Sequence, residues 1–170
     1  SEEAQQRVGP VVEKLAKELR GCVFKGEPVR VFVDTRDRRG GEKNWEWIKK
    51  GVPLRIEVDP RDVTNQSFVV SRRDQPHSQK FVLSQEQLLS QVEALLEEIQ
   101  SHYYQQAKIY QKQRTRTDIQ NREELRHFFQ QSDKASQGFV LAKWCGDPDT
   151  EKLLEDGITI RCLPVEQRGT

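Results

Sequence analysis

The stretch from Gly41 to Asp62, GEKNWEWIKKGVPLRIEVDPRD, gathers the residue types from which a binding site can be built. Lys49, Lys50 and Arg55 are interleaved with Glu46, Glu57 and Asp62, and Trp45 and Trp47 add two indoles. A guanidinium can donate two parallel hydrogen bonds to a pair of acceptors, an ammonium neutralises an anion, and a carboxylate accepts from amino groups. Lys43 adds to the basic character of the stretch, and Arg36, Arg38, Arg39, Arg72 and Arg73 extend it on both sides. The same charges could also satisfy one another on a solvated face. Arg55 beside Glu57 and Asp62 would then be a surface ion pair worth roughly 0–1 kcal/mol. Covalent chemistry finds no support: Cys22 has no base nearby in sequence, and neither a nucleophile–base pair nor a metal cluster can be assembled.

Local elements must position these side chains. Val11, Val12, Leu15, Ala16 and Leu19 fall on one face of a helix, with Pro10 suited to its first turn and Gly21 to its end. VRVFV at Val29 to Val33 reads as a strand and leads into the polar turn Asp34-Thr35-Arg36-Asp37. A helix over about 43–50 follows, stopped by Pro53. LRIEV then alternates, with Leu54, Ile56 and Val58 on one face and Arg55 and Glu57 on the other. The resulting β-α-β order predicts parallel neighbours. Residues 59–66 read as a turn, and Phe68 to Val70 as a short strand running into Arg72-Arg73.

Ser84 and Gln87 form a capping box at the head of a long helix, with Leu88, Leu89, Val92, Leu95, Leu96 and Ile99 as its apolar stripe. The pattern weakens after Tyr103, which predicts a linker helix over 103–116. Asn121 with Glu124 caps a further short helix carrying Leu125, Phe128 and Phe129. A last unit follows: a strand over 138–145, a helical turn over 150–156 ended by Gly157, and a strand over 158–165. The domains read as 1–102, a linker at 103–116, and 117–170.

Composition bounds the rest. A chain of 170 residues with 34% hydrophobic content supports a packed core. No apolar run approaches the roughly 20 residues of a membrane span, and three cysteines without close pairing fit a reducing cytoplasm. A net charge of +1 means that any electrostatic attraction to nucleic acid must be local.

Taken together, GEKNWEWIKKGVPLRIEVDPRD, SRRD at Ser71 to Asp74 and the ending KWCGDPDTEKLLEDGITIRCLPVEQ resemble the C-terminal half of a prolyl-tRNA synthetase of the archaeal and eukaryotic type. The resemblance covers nearly the whole chain. It implies an α/β fold: the class II synthetase anticodon-binding domain, a mixed sheet flanked by helices, followed by a small α+β domain like the zinc-binding domain of that enzyme type. The family's domain begins with a strand before its first helix, so the sheet here is expected to lack one strand. The family's catalytic motifs do not occur in this sequence. The resemblance therefore implies a class II catalytic domain elsewhere in the parent enzyme, a cytoplasmic homodimer that ligates proline to its tRNA using ATP and magnesium.

On that resemblance the tRNA(Pro) anticodon stem-loop is the partner of this chain, with splayed bases that stack on aromatic or Arg planes and hydrogen-bond on their edges. Arg55 would engage the Hoogsteen edge of guanine, which dominates a proline anticodon. Asp62 and Glu46 would accept from guanine amino groups or hold Arg55. Lys49, Lys50, Arg36, Arg72 and Arg73 would neutralise phosphates. Trp45 and Trp47 cannot share a helix face, so one is expected in the core and the other exposed, where stacking is worth about 1–3 kcal/mol per base.

The sequence departs from the family at several positions. Ile48 stands where many relatives have an acidic residue, and Asp59 where they have glycine. A structural zinc needs four ligands. Cys145 and Cys162 match two of the family's cysteines, Thr150 replaces a third, and His77, His102 and His127 lie outside the unit. No zinc is expected, no cofactor is expected in this chain, and the two cysteines are expected to be buried. Ile48, Asp59 and the near-neutral charge also keep open a second reading: a stand-alone module of the same fold acting as a protein-interaction or accessory subunit.

Overall fold

A computed structural model describes residues 2–131, 137–154 and 157–163. In chain order the elements are α1 (Glu2–Arg20), β1 (Val23–Phe24), β2 (Glu27–Pro28), α2 (Gly40–Lys49), β3 (Leu54–Glu57), α3 (Pro60–Asn65), β4 (Ser67–Arg72), β5 (Lys80–Ser84), α4 (Gln85–Gln113), β6 (Thr115–Arg116), α5 (Arg122–Gln131), β7 (Phe139–Val140) and α6 (Pro148–Lys152). Two compact units divide the chain, 1–105 and 106–170.

The first unit is built on the antiparallel sheet β3-β4-β5. Its core joins Leu15 and Leu19 of α1, Phe68 and Val70 of β4, and Leu88 and Val92 of α4, all at most 3% exposed. Leu54, Ile56 and Val58 pack against this cluster, as the LRIEV alternation predicts. Burying side chains of this size fully is worth about 1.5–3 kcal/mol each. The α4 N-terminus carries the expected reciprocal cap: Ser84 N–H donates to Gln87 Oε1 at 2.9 Å, and Gln87 N–H to Ser84 Oγ at 3.1 Å.

Several expectations are corrected. The strands pair antiparallel, not parallel, because the connection from Glu57 to Ser67 is shorter than the dozen or so residues a parallel crossover needs. Residues 59–66 are not a simple turn, since α3 occupies Pro60–Asn65. Strand β5, unforeseen in the sequence, forms a hairpin with β4. Helix α1 starts at Glu2, so Pro10 lies inside it rather than in its first turn. Residues 29–33 carry no strand pairing. A cavity of about 1260 Å³ is lined both by these residues and by Leu54 to Val58, with Leu15, Leu19, Val92 and Leu96 also on its wall.

In the second unit, β6 and β7 pair in parallel, and Phe139 N–H donates to Arg114 O at 2.8 Å. A Cβ on Gly138 would fall 2.0 Å from that same carbonyl oxygen, so only glycine permits this approach. Glu124 N–H donates to Asn121 Oδ1 at 2.9 Å, the cap read from the sequence for α5. The strand expected over 138–145 is limited to Phe139–Val140. Residues 158–163 form no strand, and 164–165 of that expectation lie outside the described residues. The helical turn expected over 150–156 is α6, at Pro148–Lys152, while residues 155–156 lie outside the description.

Candidate nucleic-acid interface

Strand register sets the first group of side chains. Arg55 of β3 lies directly opposite Ser71 of β4, and Ser71 directly opposite Lys80 of β5. The three form one row on the sheet face away from Leu54 and Ile56. Arg55 is 7% exposed and Ser71 1%. Arg55 Nε and Nη1 and Ser71 Oγ are buried without hydrogen-bond partners among the described residues. Arg55 also lines the large cavity. Burial pulls its pKa below the ordinary arginine value, against the opposing pull of the Glu57 charge. Glu57 accepts from Asn44 Nδ2 of α2 and from Lys80 Nζ, each at 2.9 Å. Its burial favours the neutral acid, but these hydrogen bonds outweigh that and leave its pKa lowered. The surface ion pair weighed for Arg55 does not form: the cation nearest Glu57 is Lys80, and Arg55 is buried.

Helix α2 carries the second group. Asp34 accepts from Arg36 Nε and Nη2 at 2.9 and 2.8 Å, and from Trp47 Nε1 at 2.8 Å. The Arg36 hydrogen bond, then that of Trp47, holds the Asp34 carboxyl far below the usual carboxylate range despite burial, and Asp34 raises Arg36 in return. Arg36 also reaches Glu46 at 3.0 Å, and Lys50 Nζ donates to Glu46 at 2.8 Å. Lys50, then Arg36, lowers the Glu46 pKa. Phe32 and Lys50 pack against the Trp47 ring, with the Lys50 ammonium 4.4 Å from its centroid. Trp45 is 60% exposed with Lys49 beside its ring, as expected for one of the two, while Trp47 is half-buried and outside the core expected for the other.

Arg72 and Asp62 have their partners outside that helix, while Arg73 reaches its last turn. Arg72 grips Asp74 through Nε and Nη2 at 3.0 and 2.9 Å and reaches Glu98 of α4. Arg73 lies over the Tyr103 ring at 5.4 Å, its Nε donating to Ile48 O at 3.4 Å. Asp62 completes a capping box on α3: its carboxylate accepts from Asp59 N–H, while Asp59 Oδ1 accepts from the N–H groups of Arg61 and Asp62. Asp59 therefore has a structural use that glycine would lack. Lys49, Lys50 and Arg73 are exposed. The sequence reading missed Asp34, Asn44, Ser71 and Lys80. Ser71 was detectable, because extending β4 to Arg72 puts it on the face opposite Phe68 and Val70, the face that carries Arg55.

In the second unit Cys145 and Cys162 are exposed, which corrects the expectation that they are buried. Cys145 Sγ lies 3.1 Å from Thr150 Oγ, and this hydrogen bond, with one to the Asp147 backbone, lowers the thiol pKa. No group of three or more His, Cys, Asp or Glu among the described residues could hold a metal ion. No helix among the described residues is long and apolar enough to cross a membrane.

An α/β domain with a buried, unpartnered arginine and exposed cations is suited to binding a nucleic acid, and the comparisons agree with that class. The chain belongs to the anticodon-binding-domain family, whose model, described as "Anticodon binding domain", matches residues 2–102. It is 50% identical to a proline–tRNA ligase of Protochlamydia amoebophila over 173 residues, covering 99% of this chain and 34% of that protein. It is 36% identical to a proline–tRNA ligase of Akkermansia muciniphila, covering 99% and 33%, and 36% identical to proline–tRNA ligase 2 of Anaeromyxobacter dehalogenans, covering 96% and 34%. The chain spans about a third of the length of these relatives.

Proposed function

We propose that this chain recognises the anticodon stem-loop of tRNA(Pro) as part of a prolyl-tRNA synthetase. The observation that carries this reading is Arg55. A buried guanidinium without a partner costs on the order of several kcal/mol, and Arg55, unpartnered among the described residues and on the wall of a cavity, has donors to offer a ligand there. Its fork of donors matches guanine O6 and N7. Glu46, held by Arg36 and Lys50, has carboxylate lone pairs to spare for base amino groups, while Asp62 keeps one role in the α3 cap. Lys49, Lys50, Arg36, Arg72 and Arg73 add phosphate attraction, greatest for the exposed Lys49, Lys50 and Arg73.

The parent enzyme, on this reading, joins proline to its tRNA with ATP and magnesium on a class II catalytic domain outside this chain, as a cytoplasmic homodimer. Its type is the archaeal and eukaryotic one, with residues 117–170 as a zinc-binding-like domain in which Cys145 and Cys162 remain from a lost site. The names of the relatives support the proline assignment. The test is binding of this chain, at one fixed salt concentration, to RNA hairpins with the proline anticodon loop and with a loop lacking guanine. Preference of about tenfold for the first supports the reading. Equal affinity for both favours an accessory module that does not read anticodons.

A further inference from the structure

We propose that Ser71 is a positioning residue for the Arg55 guanidinium and through it a determinant of guanine specificity, an inference that rests on the anticodon reading of Arg55. The two residues face one another across β3 and β4 in direct register. Directly opposite residues on one sheet face have Cβ atoms about 4.5–5.5 Å apart, within reach of a side-chain hydrogen bond. Their chemistry is complementary: a serine hydroxyl has two acceptor lone pairs, and a guanidinium is donor-only. Yet Ser71 Oγ and Arg55 Nε and Nη1 are all buried without partners among the described residues. Native proteins leave few such groups unsatisfied, and here they come as a matched pair on neighbouring strands.

Guanine binding gives the pair its use. An end-on fork uses both Nη groups for O6 and N7 and leaves Nε. A side-on fork uses Nε and Nη2 and leaves Nη1. In either case one of the two donors now buried without a partner remains free, and Ser71 Oγ accepts from it. That bond fixes the guanidinium plane, and the plane decides whether two acceptors can be met at once. Lys80, the third member of the row, is held by Glu57 Oε1 and Oε2, both at 2.9 Å, and so leaves Ser71 to Arg55.

The experiment is a double-mutant cycle on the whole chain, with Ser71→Ala, Arg55→Ala and both together, read as the affinity ratio for the proline anticodon hairpin over the hairpin lacking guanine, at fixed salt. Ser71→Ala is expected to lower that ratio about fivefold, to leave affinity for the guanine-free hairpin unchanged, and to have no further effect once Arg55 is alanine. The unchanged guanine-free affinity also reports that the variant is folded. The inference is overturned if Ser71→Ala leaves the ratio at its wild-type value, or lowers it equally with and without Arg55. Absence of any preference in the wild-type chain would overturn the anticodon reading itself, and this inference with it.

Discussion

His102 Nδ1 lies 2.7 Å from Oδ2 of Asp74, whose side chain has no exposed surface. A carboxylate can only accept, so Nδ1 carries the proton of this bond. Arg72 holds the same carboxylate from the strand side, and together the two tie the end of β4 to α4. Arg72, then His102, lowers the Asp74 pKa against the opposing effect of burial.

The sign of the pH dependence follows. Asp74 has a pKa depressed below its unfolded value, so its stabilisation is fully present above the ordinary carboxylate range and is lost as pH falls below about 4. Asp74→Asn is expected to lower stability at pH 7 by about 3 kcal/mol, the usual cost of removing one partner from a buried pair. Urea unfolding at pH 7 and at pH 3 checks this: the gap between wild type and variant should shrink at the lower pH.

Gly138→Ala should disrupt the pairing of β6 with β7, because its Cβ would sit 2.0 Å from Arg114 O, a backbone atom that cannot swing aside. A loss of about 1–3 kcal/mol within the second unit is expected. Amide hydrogen exchange would locate it at Phe139 and Leu141, whose N–H groups donate to Arg114 O and Arg116 O.

Asp59→Ala removes one half of the α3 capping box and should cost about 1 kcal/mol. If Asp59 instead acted mainly as a negative charge opposing RNA, the variant would bind a hairpin more tightly with unchanged stability. Thermal melting and hairpin titration of the same variant separate the two.

Much of this fold was legible because burial writes a periodic pattern. The stripes of α1 and α4 and the alternation of β3 follow directly from which face meets the core, and the caps at Ser84 and Asn121 are local bonds between residues three apart. Non-local pairing was less visible. VRVFV has the composition of a strand, yet a strand needs a ladder of backbone bonds to a neighbour, and among the described residues 29–33 join no sheet, Val29 N–H donating instead to Cys22 O. Strand β5 ends at Ser84, the residue that also caps α4, so the helix signal masked it. Asp59-Pro60 is a helix start as much as a turn, and the Asp62 cap decides for the helix.

The candidate site was legible in its residue types and not in its partnerships. Arg55 was readable as a strand-face arginine, but its burial and its register with Ser71 arise only through tertiary folding. Glu46 and Arg36, ten positions apart, were likewise not a readable pair until the turn at Asp34 brought Arg36 onto α2.

The most direct test of the central claim is the affinity of wild type and Arg55→Ala for the proline anticodon hairpin and its guanine-free counterpart, all at one salt concentration. Wild type should prefer the guanine loop by about tenfold, or ~1.4 kcal/mol, and Arg55→Ala should abolish that preference while keeping most of the guanine-free affinity supplied by phosphate contacts. An Arg55→Ala chain that still discriminates between the two loops as wild type does would contradict the account.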